Sequence, residues 1–405
     1  MKHRIVAIIM LFALSCQSSR FTAQEKEKPQ PYELQVSVQQ SPAWDKIFVR
    51  KHGWFGGDGI FCAAFNGEET YNSNQNKIIF WFSDSMFGDS NNDKAQPGST
   101  MINNSVALSN TAIPDSINIH FFSAENAEGK PETLFIPSTP ESQPDEFYWL
   151  GDGFVNQEIQ NNIYIFGYRI KNTKQGTWGF KEMGNTVIVI PAASQPPFAD
   201  YKQMDIPFFK GKDIDSTGMF GAGILVNTRL AGAENGDGYL YIYGIRGANK
   251  SVIVARVIPK NIEKFDYWTF WDGKKFSSNT KDIVPITSKA GNELSVSPLP
   301  GGKYILVSQN GLNGKIYYQI GDSPVGPFRN AVEIFDTAPT VSKNANYFTY
   351  NAKAHPILSP PGELLISYNV NSFNFFEDIL TDAHLYRPRF ITMKYQIKQL
   401  NKNQK

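Results

Sequence analysis

Cysteine is nearly absent from this 405-residue chain, which has only Cys16 and Cys62. Two cysteines leave no disulfide framework and no cysteine-based metal site. A charge excess of either sign is missing too. Lys and Arg number 39 against 38 Asp and Glu, with no basic run in the body. Nucleic acid is therefore not an expected partner, since phosphate binding needs concentrated positive charge. The apolar run Ile5–Leu14 has ten residues, about half of what crossing a bilayer needs. After residue 31 no segment shows sustained helical periodicity.

What the chain does have is apolar residues (41%) and aromatic residues (14%), enough for a large core. Lys2, His3 and Arg4, then Ile5–Leu14, then Ser15-Cys16 read as an export signal. Cys16 after the apolar run resembles the lipobox of bacterial lipoproteins, with Ala13 where that pattern usually has leucine. The organisation expected is a signal peptide over 1–16, a polar tether over 17–31 and one domain over 32–400. The chain is thus expected at the outer membrane or cell surface, touching the membrane only through a lipid on Cys16. Plain secretion or a periplasmic location is the alternative. Cys62 would then be a lone thiol in an apolar strand, a small hydrophobe.

The body repeats one pattern. The stretches "KIIFWFSDS" (77–85), "NIYIFGYRI" (162–170), "YLYIYGIRG" (239–247), "KYILVSQNG" (303–311) and "ELLISYNVN" (363–371) are short β-branched and aromatic runs with polar tails. Each follows another strand ("GIFCAAF", "GFVNQEI", "GAGILVN", "LSVSPL", "AHPILSP"). Each precedes a third ("NNSVALS", "TVIVIPA", "SVIVARV", "IYYQIGD", "RFITMKY"). Five such units predict an all-β fold, a five-bladed β-propeller, with residues 31–40 closing the ring. A β-sandwich explains neither the five recurrences nor the length.

In a propeller, the start of the first strand and the end of the second meet on one face. The starts carry Asp58, Asp152, Glu293 and His355, while Gly221-Ala222-Gly223 leaves space. The second-strand ends carry Asp84, Arg169, Arg246, Asn310, Asn369 and Asn371. Paired carboxylates suit glycoside hydrolysis, one as general acid and one as base or nucleophile. Asp58 and Asp84, in one hairpin, are the first-choice pair, with Glu293 and Asp152 assisting. Trp54, Trp81 and Trp149 are candidates for stacking on sugar rings, and the glycines beside the acids for letting substrate approach. Asn104, Arg169, Arg246, His355 and Asn369 complete the expected substrate contacts. An Asp beside Gly is most often a turn residue, as "NGDG" (235–238) should be, and the arginines have a structural ion-pair reading.

The ordered motifs "DGIFCAAFNG…IIFWFSDSMFG…INNSVAL", "YWLGDGFV…IYIFGYRI", "NELSVSPLPGGKYILV", "YNAKAHPILSPPGELLISYNVN" and "YRPRFI" resemble a bacterial propeller family. That family is known as the domain of unknown function 4185, with its relative 5005. The resemblance spans about residues 45 to 395. It implies a five-bladed glycoside hydrolase fold and, through one branch, an endo-D-arabinofuranosidase with two first-blade aspartates, matched here by Asp58 and Asp84. Ser83 stands where the family usually has glycine. The expectation is a monomeric glycoside hydrolase acting on a furanose-containing poly- or oligosaccharide such as arabinan. It would need no cofactor, with room for a structural calcium in the central channel. A non-catalytic glycan-binding propeller is the alternative.

Overall fold

The computed structural model describes residues 32–74, 77–173, 179–210 and 218–399. The signal sequence, Cys16 and the tether lie outside the described residues. Contacts divide the chain into a body, Gln35–Gln396, and a second unit, Met1–Leu34 with Ile397–Lys405, described only at the ends of two strands. Among the described residues no helix is long and apolar enough to cross a membrane.

Five antiparallel sheets, each wound strand next to strand, account for most of the body. The first holds Phe61–Ala64, Ile78–Phe82, Ser105–Ser109 and Ile119–Phe122. The second holds Glu146–Asn156, Asn162–Asn172, Phe180–Ile190 and Lys202–Lys210. The third has Met219–Asn227, Tyr239–Arg246 and Ser251–Val257, then Thr269–Trp271 and Phe276–Ser277. The fourth has Leu294–Leu299, Lys303–Gln309, Lys315–Gly321 and Val332–Asp336. The fifth orders Tyr347–Ala354, Glu363–Ser372 and Arg389–Gln399, with Tyr32–Gln40 beside the last. The N-terminal strand thus completes the sheet made by the C-terminal ones.

The second strand of the first sheet, Ile78–Phe82, is buried at every position, and those of the other sheets are buried over most of their length. A continuous apolar run without alternation is what a strand covered on both faces requires. Apolar clusters lie between neighbouring sheets, for example Phe154, Tyr164 and Phe166 against Phe220, Ile242 and Trp268. Polar side chains stitch neighbouring sheets together: Ser83 Oγ accepts from the Leu150 amide at 2.8 Å, and Asp152 Oδ2 accepts from Ile224 N at 2.7 Å. Ser295 Oγ accepts from Ala354 N at 2.8 Å. Asp237 accepts from Asn227 and Tyr241 in the hairpin between Asn227 and Tyr239, the turn role read for "NGDG".

Two strand boundaries differ from expectation. The fifth first strand ends at Ala354, not beyond it. Pro356 has no N–H to continue a ladder, and Pro356–Leu358 forms a 3-10 turn. Asp152 sits inside Glu146–Asn156, at a register shift between Leu150 and Gly153, rather than at a strand start. Similar shifts interrupt Phe220/Gly223 and Tyr350/Lys353. At such bulges the ladder yields, and side chains are re-aimed. Gly153 packs so tightly there that a Cβ would meet Tyr164 O at 2.2 Å. Gly153→Ala should therefore destabilise the protein by about 1–3 kcal/mol, read as a lowered denaturation midpoint.

Candidate active site

The site begins at a break in a hairpin. His52–Gly57 runs toward Phe61–Ala64 but is interrupted at Asp58, Gly59 and Ile60. Its partner is interrupted at Ser83 and Asp84, between Phe82 and Ser85. The two breaks face each other. Asp58 N donates to Asp84 O at 3.2 Å, and Ser83 N donates to Asp58 O at 2.8 Å. Both aspartates leave the regular ladder at one point, side by side. Gly59 turns the chain at φ +62°, where a Cβ would lie 2.8 Å from Ser83 Oγ.

The neighbouring glycines do something other than expected. Gly57 N donates to Tyr386 O at 2.6 Å, and a Cβ on Gly56 would come 3.0 Å from that oxygen. They admit the Tyr386 backbone, not substrate. That approach brings the Tyr386 side chain near Asp58, where its hydroxyl helps to lower the Asp58 pKa.

The two carboxyls are partly buried in unequal surroundings. Asp58 Oδ2 accepts from Tyr350 Oη at 2.5 Å, and Asn371 Nδ2 donates to that hydroxyl at 3.3 Å. Asp58 Oδ1 is buried without a hydrogen-bond partner. Desolvation, with Asp84 and then Glu293 adding negative charge, pushes Asp58 up to about 8 against the pull of the tyrosines. Asp84 is also raised by burial, but only to about 6. Asn103 Nδ2 donates to it at 3.2 Å, and the nearby Trp149 indole also lowers it. At neutral pH the pair therefore holds one proton, favoured on Asp58.

Glu293 and Lys353 lie beside this pair. Both are buried, Lys353 Nζ contacts Glu293 Oε2, and Asn351 Nδ2 donates to Glu293 Oε1 at 2.9 Å. Burial raises the Glu293 pKa, while Lys353 and Asn351 restrain the rise. The Lys353 ammonium also sits 3.8 Å from the Phe61 ring centroid. Asp152 accepts from the amides of Gly153 and Ile224 at 2.8 and 2.7 Å. Burial still raises it to about 7.

Several expected contacts lie elsewhere. Trp54 is 1% exposed and stacks on Phe121 at 4.5 Å, so no sugar reaches it. Trp81 is sealed in the core, its indole bonded to Gly151 O at 2.8 Å. Trp149 is at the site, but as a neighbour of Asp84 whose indole lowers the pKa of that carboxyl. Asn104 is fully buried and holds the backbone of Phe135 and Tyr148; its neighbour Asn103 reaches Asp84. Arg169 is consumed by a buried ion pair with Glu146 at 3.1 Å. Arg246 donates to Ile283 O at 3.2 Å.

His355 is buried between Cys62 Sγ at 3.4 Å and Ser367 Oγ at 2.7 Å, and desolvation lowers it to about 3. Both ring nitrogens are thus engaged. Among the described residues no cluster of three or more His, Cys, Asp or Glu is arranged for a metal. Asn369, the cross-strand partner of Tyr350, is buried with neither amide atom hydrogen-bonded. It shares the Tyr350 face of its sheet.

Two cavities flank this centre. A small one of about 90 Å³ is bounded by Trp149, Tyr168, Glu182, Met219, Lys250 and Asn292, next to the acid pair's partners. A larger one of about 390 Å³ reaches Asp152, Lys353 and His355 from the hairpin ends Ala231–Asn235 and Leu299–Lys303. Asp58 and Asp84 line neither. Tyr350, Tyr386, Asn103 and Lys353 were not singled out in the sequence, although "YNAKAHP" and "YRPRF" contain three of them.

One solved structure shares the architecture, and two others are similar at a lower level. A Bacteroides ovatus ATCC 8483 protein, provisionally described as a hydrolase, superposes with a TM-score of 0.68 at 22% identity. The match covers 91% of this chain and 97% of that one. An exo-β-1,3-galactanase from Phanerochaete chrysosporium, solved with β-1,3-galactotriose, gives 0.46 at 10% identity, over 83% of this chain and 60% of that one. An α-L-arabinofuranosidase from Clostridium thermocellum ATCC 27405 gives 0.41 at 16%, over 81% and 86%. No curated protein matches the sequence. The family model called domain of unknown function 5005 (DUF5005) matches residues 42–395, nearly the whole described body, and the chain belongs to that family.

Proposed function

We propose that this protein is a glycoside hydrolase that cleaves a furanose-containing polysaccharide such as arabinan. Its five sheets would be the blades of a propeller. The observation that carries the reading is the pair of unequal aspartates at the hairpin break. Asp58, raised to about 8, is the general acid that protonates the glycosidic oxygen. Asp84, raised to about 6 and held by Asn103 with Trp149 beside it, is the ionised partner. It attacks the anomeric carbon or takes a proton from the attacking water. Tyr350 orients Asp58 by donating to it, and Tyr386 lies beside it. Glu293 and Asp152 add negative charge near a cationic transition state. Export and a lipid on Cys16 would place a monomeric enzyme at the cell surface, where polysaccharide is met.

The absence of Asp58 and Asp84 from the lining of the larger cavity favours a second reading, glycan binding without turnover. Incubation with a panel of arabinans, galactans and fructans distinguishes the two. Hydrolysis releases new reducing ends from at least one polymer; saturable binding without release supports the second reading.

A further inference from the structure

Asp58 takes its hydrogen bond from the fifth sheet. Tyr350 Oη donates to it at 2.5 Å, and Asn371 Nδ2 donates to that hydroxyl at 3.3 Å. The face of the sheet that carries these two continues outward in aromatic rings. Phe348 stands two residues before Tyr350 and opposite Asn371, and Phe373 comes two residues after Asn371. Side chains two apart share one face of a strand. The rings meet in a row, Tyr350 to Phe348 at 5.6 Å between centroids and Phe348 to Phe373 at 4.6 Å.

The inner ring, Phe348, is 9% exposed, whereas Phe373 at the outer end is 45% exposed. The backbone that carries Phe373 is nonetheless fixed. Its N–H donates to Asn346 O at 3.1 Å, just past the end of Glu363–Ser372. The flanking residues are tied as well. Asn374 N donates to Ser372 Oγ at 3.0 Å, and that hydroxyl donates to Asp378. Asn344 Nδ2 donates to the same carboxyl group at 3.0 Å. A ring packed on one side and open to solvent on a fixed backbone is pre-organised for a ligand with apolar C–H bonds. One face of a sugar ring offers them.

A general acid must lie within hydrogen-bond reach of the oxygen it protonates, and that oxygen leaves with the departing half of the chain. The row of rings begins at Asp58, while Asp84 has Asn103 and Trp149 beside it. We propose that Phe373 is a stacking platform for a sugar unit of the bound polysaccharide, set in the departing half of the chain. Phe348 backs the ring, and Tyr350 joins the row to Asp58. The assignment to the departing half rests on the reading of Asp58 as general acid.

The test measures retardation of the full chain in native gels containing arabinan, galactan or fructan, with hydrolysis rates alongside. At least one polymer should retard the wild type. Phe373→Ala should weaken that binding about three- to tenfold, the worth of one ring contact, and Phe373→Tyr should keep it. On a cleaved polymer the loss should fall on KM rather than kcat, as removal of a binding contact does. It should be smaller on a furanosyl fluoride, whose departing atom is too small to reach the ring. Retardation of Phe373→Ala equal to wild type overturns the proposal, and so does failure of every polymer to retard the wild type. An equal loss on polymer and fluoride overturns it too, because that marks a structural role. If retardation depends on Phe373 and no polymer is cleaved, the hydrolase reading fails and the platform stands. If polymer is cleaved and Phe373→Ala matches wild type, the platform alone fails.

Discussion

Asp84→Asn should reduce polysaccharide hydrolysis by about 10³-fold or more, and Asp58→Asn by about 10²- to 10⁴-fold. The two losses differ in kind. An asparagine at 84 can neither attack the anomeric carbon nor accept a proton, so no choice of leaving group restores turnover. An asparagine at 58 cannot protonate the departing oxygen. A substrate with a nitrophenolate leaving group needs little protonation, and Asp58→Asn should keep most of its rate on a nitrophenyl furanoside. Rates on polymer and aryl substrate, measured for both variants, check the assignment. An unchanged rate in both, or an equal loss on both substrates, would contradict it. Neither change should disturb folding, since Asn preserves the shape, removing a charge at 84 and only an acidic proton at 58.

The second large effect concerns stability. Lys353→Met removes the cation facing buried Glu293, and the ring contact with Phe61 goes with it. Stranding a buried carboxylate costs about 3–5 kcal/mol. The cost depends on pH with a definite sign. Without Lys353, the restraint on Glu293 is lost and its folded pKa rises further above the 4.5 of the unfolded chain. Protonated Glu293 is tolerated, so stability is retained below about that pH and lost as pH rises through the higher folded value. Denaturant unfolding should show a small deficit near pH 5 and the full deficit at pH 8. Adding Glu293→Gln to Lys353→Met should recover much of the loss at pH 8.

Much of the architecture was legible because it rests on local signals. Apolar runs bounded by Gly, Asn, Asp and Pro locate the second and third strands of all five sheets, and the segment 31–40 was read as the closing strand. The failures mark where local pattern stops deciding. "AHPILSP" is apolar enough for a strand, but Pro356 removes the amide that a ladder needs. Asp152 looks like a strand start because glycines flank it, yet those glycines serve a bulge within a longer strand.

The acids of the site could be found because carboxylates beside apolar strands are conspicuous. Their partners could not. Tyr350 and Tyr386 reach Asp58 from about three hundred residues downstream, and nothing local distinguishes them from other core tyrosines. Asn103 and Asn104 are adjacent in sequence, and only the strand's facing decides which one meets Asp84. Trp54 and Trp81 were read as sugar platforms; tryptophan is as much a core residue, and here burial claims both.

The division of labour between Asp58 and Asp84 is tested most directly by the pH dependence of kcat on a polysaccharide that is cleaved. Activity should rise as Asp84 loses its proton through about 6. It should fall as Asp58 loses its own through about 8, giving a bell centred near pH 7. The Asp58→Asn variant on an aryl furanoside should keep the acid limb and lose the alkaline one. A wild-type profile with its maximum below pH 5, or an alkaline limb that survives Asp58→Asn, would contradict the account.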